Sequence, residues 1–401
     1  MSEKYQVIIV GGGTAGITVA ARLRELADGP SVALIEPSDK HYYQPIWTLV
    51  GAGVFPKEIS VRSEADYVPD GVTWIKDYVV SFDPDKNTVT TKGGKTLGYD
   101  ALVVCPGIQL DWNKIPGLAE TIGKNGVCSN YGFDRAEYTW EVLSKFKGGR
   151  ALFTQPNTPV KCGGAPQKIM YLVADYLRLN GKLQDTDIQF MSPGTVVFGV
   201  KEFERTLKKI IARYGITFNT RHELVEVRGD QKEAVIRVRN EDDEVVEDKV
   251  YPFDMMHVVP PQSAPDFIKD SPLANVDGWV DVSRDTLQHN KYPNVFGLGD
   301  ATSTPNAKTG AAVRKQAPIV VHHLMQVLRD GAISDGMVYD GYSSCPLVTG
   351  FGRLVLAEFD YDNRPLPSFP FDTTRERYSM YALKLYVLPQ LYWNGMLRGR
   401  A

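Results

Sequence analysis

Two of the four cysteines in this 401-residue chain lie where a thiol could do chemistry. Cys162 lies in a loop rich in proline and glycine, beside Lys161 and just before a predicted helix that begins near Gln167. A helix N-terminus and a neighbouring cation both lower the pKa of a thiol, so this pattern predicts a reactive thiolate. Cys345 lies in a second turn-like segment, directly before Pro346. The spacing of the two cysteines does not show whether they meet.

A glycine-rich turn near the N-terminus joins a predicted strand, residues 5–10, to a predicted helix that ends near Leu26. A second strand follows, over residues 31–35, and ends at an acid. In such a unit the first glycine permits a tight turn, the second lets a pyrophosphate approach the backbone, and the third allows close helix–strand packing. The acid accepts from the ribose hydroxyls. The predicted dinucleotide contacts are Gly11, Gly13, Thr14, Ala15, Gly16 and Glu36.

Two further segments favour FAD as the dinucleotide. The apolar run 101–104 ends in a turn at Gly107, and a strand beginning near Tyr292 ends in Gly-Asp at Asp300. Both resemble segments of flavoproteins with two dinucleotide-binding domains, in which the aspartate holds the ribityl–phosphate arm. Further predicted FAD contacts are Gln44, Pro45, Val79, Gly107, Asp300 and Lys308.

Lys308 precedes a predicted helix over residues 311–328. A helix N-terminus and a lysine at the flavin would stabilise the negative charge of the reduced ring. The alternative is a solvent-facing lysine before an ordinary capped helix.

These motifs predict an α/β fold with two Rossmann-like, glutathione-reductase-like domains and a C-terminal region. The FAD domain is expected to be discontinuous, over residues 1–112 and 262–330. A second Rossmann-like domain, residues 113–261, is expected to lack a nicotinamide site, because its first loop carries Cys162 instead of G-x-G-x-x-G. Residues 331–401 form a separate C-terminal region rich in Tyr, Phe and Pro.

The composition narrows the class of protein further. A net charge of −3 gives no support for nucleic-acid binding. The sequence shows no signal or transit segment and no apolar run of the roughly 20 residues that span a bilayer. Membrane association is therefore expected to be peripheral, at a bacterial cytoplasmic membrane. A homo-oligomer is possible.

The C-terminal region is rich in aromatic and basic residues. Tyr378, Tyr381, Leu385 and Leu388 fall at helical spacing, and arginines and lysines including Lys384 surround them. A basic amphipathic segment can lie in a membrane interface, although an ordinary helix packed on the core is the alternative. Pro389 is expected to split the segment into two short helices. The aromatic residues of this region, among them Phe351, Tyr381 and Tyr386, are candidates to line an apolar binding site.

The chain resembles sulfide:quinone oxidoreductases nearly from end to end, in particular the mitochondrial-like subgroup. The most specific segments are residues 41–53, residues 156–171 around Cys162 and residues 340–350 around Cys345. The resemblance implies that Cys162 and Cys345 are a catalytic redox pair. Some bacterial relatives have a third cysteine near position 128, so Cys128 either takes part in the chemistry, for example through a covalent link to the flavin, or is incidental.

The resemblance also implies the reaction and its partners. Sulfide attacks the oxidised cysteine pair, leaving a persulfide on Cys345 and a thiolate on Cys162, and electrons pass via FAD to a quinone, ubiquinone-like. A small acceptor such as glutathione, sulfite or cyanide removes the sulfane sulfur. With a quinone implied, residues 331–401 are expected to be the quinone and membrane-contact region, and Phe351, Tyr381 and Tyr386 are the candidate quinone contacts. Cys105, inside an apolar strand, is expected to be a buried hydrophobe.

Two other functions compete with this interpretation. A type II NADH:quinone oxidoreductase would need a second glycine fingerprint and an acid after the following strand, which runs instead into Ser192 and Pro193. A flavin-containing scaffold with little turnover leaves the two cysteines unexplained. His257 is either a proton donor near the flavin or quinone or a core histidine, and no metal site is expected, since His322 and His323 lack further ligands.

Overall fold

The computed structural model describes residues 3–334 and 336–401. Its strands are β1 Lys4–Val10, β2 Val32–Ile35, β3 Lys40–Tyr42, β4 Val61–Ser63, β5 Val72–Ile75, β6 Val79–Asp83, β7 Thr88–Thr91, β8 Thr96–Val104, β9 Gln109–Leu110, β10 Val127–Cys128, β11 Gly149–Thr154, β12 Thr186–Ser192, β13 Thr217–Thr220, β14 His222–Arg228, β15 Glu233–Arg239, β16 Val245–Pro252, β17 Met255–His257, β18 Gln262–Ser263, β19 Val295–Gly297, β20 Ser343–Gly350 and β21 Arg353–Phe359. Its α-helices are α1 Thr14–Arg24, α2 Trp47–Gly51, α3 Leu118–Thr121, α4 Phe133–Lys145, α5 Ala165–Leu179, α6 Lys201–Tyr214, α7 Asp266–Lys269, α8 Gly310–Asp330, α9 Tyr378–Ala382 and α10 Leu388–Gln390.

The first sheet has seven strands in the order β5-β2-β1-β8-β7-β6, with β19 also paired to β8. Strands β1, β2, β5, β8 and β19 run parallel. Residues 7–10 of β1 are fully buried, as expected for a strand covered on both faces. The carboxyl ends of these strands meet at one edge of the sheet, where α1 begins and where an α/β sheet of this kind binds its ligand.

The second sheet has five parallel strands in the order β10-β17-β11-β12-β13. An antiparallel sheet, β14-β15-β16, is inserted in the chain between β13 and β17 of this second sheet. The two segments that connect this part to the first sheet lie side by side, because β9 pairs with β18.

The hairpin β20–β21 packs on helix α5 of the second sheet, so residues far apart in sequence share one core. That core cluster includes Ile9 of the first sheet, Phe153 of the second, Leu347 of the hairpin and Trp393 near the C-terminus. The C-terminal part of the chain is thus built into the same interior as both sheets.

The C-terminal segment is helical from Tyr378 to Arg398, so the expected break at Pro389 is wrong. Helices α9 and α10 alternate with π-helical turns over Leu383–Val387 and Leu391–Gly395, and a 3₁₀ turn ends the segment. Pro389 lies in the first turn of α10, where its missing N–H costs little. The wider π turns allow the chain to continue as a helix on both sides of the proline.

Candidate active site

Cys162 lies in the loop between β11 and α5, at the carboxyl edge of the second sheet. Its backbone N–H donates to the Lys308 carbonyl over 2.7 Å, and its own carbonyl accepts from the N–H of Ala165 over 2.7 Å. Its φ of 57° lies in the left-handed region, which non-glycine residues adopt at a cost and most often where function demands it. Cys162 is therefore fixed between the start of α5 and the chain that leads into α8.

Cys345 lies within strand β20, opposite Ala357 of β21, and its side chain is hydrogen-bonded to that of Cys162. The expected turn at this position is therefore wrong, although both cysteines are brought to one site. Cys345 is buried and Cys162 is half-buried, and both thiols are free in this structure. The two cysteines can thus be joined or separated by a redox reaction.

Lys168 supplies the positive charge at the cysteine pair. It lies on α5, is buried, and its Nζ donates to Cys162 Sγ over 3.0 Å. The hydrogen bond from Cys345, together with the Lys168 charge, holds the pKa of Cys162 well below its usual range despite burial. The hydrogen bond to Cys162 and burial raise the pKa of Cys345 well above its usual range. The pair therefore consists of a thiolate at Cys162 and a thiol at Cys345.

Lys161, the lysine expected to activate Cys162, makes a different contact. Its Nζ donates to Gln44 Oε1 over 2.7 Å and lies near the rings of Trp47 and Tyr131. Burial lowers its pKa to about 8. The pKa of Cys162 is lowered by a nearby lysine, as expected, but this lysine is Lys168 and not Lys161.

Lys384 is a second lysine at the cysteine pair, and its expected surface position is wrong. Its side chain is 3% exposed and its Nζ donates to the Pro45 carbonyl over 2.9 Å. Burial, followed by the positive charge of Lys168, lowers its pKa to about 7. Lys168 lies six residues after Cys162, near the start of the helix that the cysteine precedes, so the sequence could have indicated it. Nothing in the sequence around Lys384 shows that its segment folds back onto the site.

The glycine-rich turn has the geometry that a dinucleotide requires. A Cβ added at Gly11, where φ is 102°, would lie 2.6 Å from the Cys105 carbonyl oxygen, and one at Gly16 would lie 1.8 Å from the Gly11 oxygen. At Gly13 no protein atom lies within 4 Å of an added Cβ among the described residues. The first and third glycines are thus required by protein packing, while the second opens onto space that a pyrophosphate could fill.

Glu36 and its neighbours form the other side of this cradle. Glu36 Oε2 accepts from the N–H of Gly12 over 2.7 Å, and burial raises the pKa of its carboxyl. Thr14 begins α1, with its hydroxyl 2.9 Å from that of Tyr392, and Ala15 is buried beside it. Val79 begins β6 and its side chain packs in the core beneath the first sheet.

The remaining expected cofactor contacts surround the end of β19. Asp300 is half-buried, and burial raises its pKa while the charges of Lys308 and Lys161 lower it. Lys308 is buried, with its Nζ donating to the Thr302 carbonyl over 2.8 Å and lying 4.3 Å from the centre of the Trp279 ring. Burial lowers its pKa to about 8. The alternative of a solvent-facing Lys308 is therefore wrong. Gly107 has a left-handed backbone, and a Cβ added there would meet open space.

The three candidate quinone contacts have different surroundings. Tyr381 is buried, and Phe351 is half-buried with its N–H donating to Asp175 Oδ2 over 2.8 Å. Tyr386 is 63% exposed. Phe351, Tyr381 and Tyr386 therefore stay candidate quinone contacts.

In the second sheet, the place where a nucleotide loop would lie is closed by hydrogen bonds within the protein. Gln167 in the first turn of α5 donates through Nε2 to the Val197 carbonyl over 2.6 Å, and the N–H of Val197 donates to Glu204 Oε1 over 3.1 Å. The loop after β12 is thereby tied to α5, next to Cys162.

The ambiguous cysteines and histidines lie in the core. Burial raises the pKa of Cys128 to about 12, and its thiol donates to the Met256 carbonyl over 3.3 Å. Cys105 is buried, as expected, and its pKa is likewise raised. His257 accepts from the N–H of Asn130 over 3.0 Å, and burial lowers its pKa to about 3, so it is a neutral core histidine. Within residues 3–334 and 336–401, no group of three or more His, Cys, Asp or Glu side chains could hold a metal ion.

A dinucleotide cradle and a pair of neighbouring cysteines on this α/β fold are the features of a disulphide oxidoreductase, and they define the class of this protein. Residues 5–138 match the family described as Pyridine nucleotide-disulphide oxidoreductase. The chain is 48% identical to the mitochondrial sulfide:quinone oxidoreductase of Mus musculus, over 98% of this chain and 87% of that protein. The protein of the same name from Dictyostelium discoideum is 45% identical, over 98% of this chain and 86% of that protein.

The chain belongs to the sulfide:quinone oxidoreductase family. The resemblance inferred from the sequence is thereby confirmed, and so is the α/β oxidoreductase fold. The solved sulfide:quinone oxidoreductase of Aquifex aeolicus shares this fold with a TM-score of 0.80 at 20% identity, over 98% of this chain and 92% of that chain. NDH2 from Plasmodium falciparum shares this fold with a TM-score of 0.67 at 12% identity, over 100% of this chain and 97% of that chain.

These comparisons also bear on location. The relatives from Mus musculus and Dictyostelium discoideum carry a mitochondrial name, so the expected bacterial cytoplasmic membrane has no support from them. Among the described residues, no helix is both long and apolar enough to span a membrane.

Proposed function

We propose that this chain oxidises sulfide to sulfane sulfur at the Cys162–Cys345 pair and delivers the electrons through FAD to a quinone. The observation that carries the proposal is the contact between Cys345, Cys162 and Lys168 in the loop that would otherwise bind a nicotinamide nucleotide. A low-pKa thiolate in contact with a second cysteine is the arrangement that disulfide exchange requires.

FAD fits the cradle at the first sheet. The open space at Gly13 would admit its pyrophosphate at the N-terminus of α1, and Glu36 would accept from a ribose hydroxyl. Asp300, with Gln44, Pro45, Val79, Gly107 and Lys308, would complete the contacts. Bound FAD supplies a two-electron acceptor that can in turn be oxidised by a quinone.

The two cysteines divide the sulfur chemistry between them. In the oxidised pair, hydrosulfide attacks the sulfur of Cys345, the Cys162–Cys345 bond breaks, and the products are a persulfide on Cys345 and a thiolate on Cys162. A thiol of lower pKa is the better leaving group, and the pKa of Cys162 is the lower of the two. Lys168 holds the charge of the departing thiolate through its hydrogen bond to Cys162 Sγ.

The persulfide must then lose its outer sulfur. A small nucleophile such as glutathione, sulfite or cyanide takes the sulfane sulfur and leaves a thiolate on Cys345. Oxidation of the reduced pair forms the Cys162–Cys345 bond again; its two electrons would pass to bound FAD, and the proton of the Cys345 thiol would leave to solvent.

We also propose that the C-terminal segment contacts a membrane, from which the quinone arrives. The side chains of Tyr378, Tyr386 and Val387 are 72%, 63% and 54% exposed, respectively. Exposed apolar side chains on a helical segment that also carries exposed Arg398 and Arg400 at its end suit a membrane interface. The division into residues 1–112 with 262–330, 113–261 and 331–401 is retained as the proposed domain organisation.

Anaerobic reduction of bound FAD tests this function. Sulfide is expected to bleach the flavin absorbance, and a short-chain ubiquinone added afterwards is expected to restore it. NADH at the same concentration should leave the flavin oxidised, because the second nucleotide loop carries Cys162. Bleaching by NADH without bleaching by sulfide would contradict the proposal.

A further inference from the structure

Lys161 precedes the reactive cysteine in the chain, and its ammonium group contacts a residue of the segment expected to line the cofactor. Its Nζ donates to Gln44 Oε1 over 2.7 Å, and the centres of the Trp47 and Tyr131 rings lie 5.7 Å and 5.9 Å from it. An ammonium can only donate, so the amide oxygen of Gln44 is the atom that faces it. The contact joins the cysteine loop to the short helical turn that begins at Gln44.

The backbone around Lys161 is held by hydrogen bonds on both sides. Its N–H donates to Gln262 Oε1 over 2.9 Å, and its carbonyl accepts from the Tyr131 hydroxyl over 3.4 Å. The next N–H, that of Cys162, donates to the Lys308 carbonyl over 2.7 Å. These bonds fix the position from which the Lys161 side chain extends.

The surroundings of the Lys161 ammonium can accept an anion. Lys161 and Asp300 are half-buried and Gln44 is exposed, so a ligand can reach them. Within residues 3–334 and 336–401, no carboxylate is ion-paired with Lys161, and the charge of Asp300 opposes only part of the effect of burial on its pKa. A cation that burial disfavours is stabilised when a negative charge is placed beside it.

Lys308, the lysine expected at the flavin, is less accessible. It is 7% exposed, and its Nζ donates to the Thr302 carbonyl over 2.8 Å. Both lysines act on the charge of Asp300, so both lie near the proposed cofactor contacts. Lys161 is the more accessible of the two, and it is also the one next to the cysteine that exchanges electrons with the cofactor.

We propose that Lys161 is a further catalytic residue, whose ammonium lies at the isoalloxazine ring of FAD and stabilises the negative charge of the reduced ring. Gln44 is a positioning residue that holds this ammonium. The inference rests on the proposed binding of FAD. The cysteine pair supplies two electrons and solvent supplies one proton, which leaves one negative charge on the ring for the ammonium to balance. Electron transfer from the cysteine pair is thereby favoured.

The midpoint potential of bound FAD separates this role from a structural one. It is measured by anaerobic titration with a chemical reductant and a reference dye, so that neither sulfide nor quinone is needed. Lys161→Met and Lys161→Gln both remove the charge, and Lys161→Arg keeps it. The matched control is Lys145→Met on α4, whose lysine is 72% exposed and pairs with Glu141.

Loss of the charge should weaken binding of the reduced cofactor more than binding of the oxidised one. In Lys161→Met and Lys161→Gln the ratio of the two affinities is expected to fall about tenfold or more, and each tenfold lowers a two-electron potential by about 30 mV. Lys161→Arg should retain most of the potential, and Lys145→Met all of it. Calorimetric titration of the apoproteins with oxidised FAD measures the other affinity, which should change less than about threefold, because the oxidised ring is neutral.

An unchanged midpoint potential in both neutral variants would overturn the inference. If their affinity for oxidised FAD fell at the same time, Lys161 would shape the site without acting on the charge of the ring. Failure of the wild-type apoprotein to bind FAD would instead contradict the proposed function, and with it this assignment.

Discussion

Lys168 Nζ and Cys162 Sγ lie 3.0 Å apart, and the lysine belongs to the helix into which the cysteine loop leads. The lysine is buried, so its charge is poorly screened by water. Its positive charge and the thiolate of Cys162 stabilise each other, and the charge of the thiolate opposes the effect of burial on Lys168, whose pKa is raised. The ion pair with Lys168 therefore favours the thiolate form of Cys162 in spite of burial.

Removal of the Lys168 charge should therefore change the titration of Cys162. In wild type the pKa of Cys162 is lowered, so the thiolate persists at pH values below the ordinary titration range of a thiol. In Lys168→Met the pKa should rise by about one unit or more, so that at pH values below both pKa values the thiolate fraction falls roughly tenfold for each unit. The rate of iodoacetamide alkylation of reduced protein as a function of pH measures this shift, with Cys345→Ser as the background.

The matched control is Lys208→Met, on α6, whose lysine is 61% exposed and pairs with Glu204. Its alkylation profile should coincide with that of wild type. An unchanged profile in Lys168→Met would mean that this lysine does not stabilise the thiolate.

This pair also shows what the sequence could and could not reveal. The reactive thiol at Cys162 was inferred from a helix start and a nearby lysine, both of which are local features. The choice between Lys161 and Lys168 depends on the direction of each side chain, and this is set by contacts with Gln44 and with the cysteine pair. Cys345 was placed in a turn because Pro346 follows it, whereas pairing with β21 makes the segment a strand.

Gly13 and Gly16 should respond oppositely to the same substitution. Gly13→Ala meets open space and keeps an allowed backbone with φ −68°, so the apoprotein should remain as stable as wild type while FAD affinity falls by about tenfold or more. Gly16→Ala places a methyl group 1.8 Å from the Gly11 oxygen and should destabilise the fold by about 1–3 kcal/mol. Urea unfolding of the apoproteins and FAD titration measure the two effects; equal stability losses would refute the distinction.

The dinucleotide cradle was the part of the site best predicted from sequence, because a strand, a turn and a helix adjacent in the chain build it. The contact between Tyr392 and Thr14 lay beyond any sequence pattern, since the two residues are separated by nearly the whole chain. The same holds for Lys384, which looked like a surface cation on a basic helix and is buried against Pro45.

Charges on the outer face of the C-terminal segment should weaken membrane binding. Tyr378→Glu and Val387→Glu together are expected to reduce co-sedimentation with liposomes containing anionic lipid by about tenfold or more, since each lost apolar side chain and each added negative charge opposes binding. Flavin reduction by sulfide should be unchanged, because neither side chain contacts the cysteine pair.

The control is Val246→Glu on strand β16, where the valine is 62% exposed and lies on the antiparallel sheet. It should sediment with liposomes like wild type. Equal losses in the control and in the double variant would show that net charge, and not this face, governs membrane binding.

The most direct test of the central claim is anaerobic stopped-flow reduction of bound FAD by sulfide in Cys162→Ser and Cys345→Ser. Cys128→Ser is the matched control, because that thiol is buried and its pKa is raised to about 12. The two-cysteine mechanism predicts that the first two variants bind FAD but reduce it at least about a thousandfold more slowly than wild type, as for loss of a nucleophile, whereas the control reacts normally. Reduction at the wild-type rate in either Cys162→Ser or Cys345→Ser would contradict it.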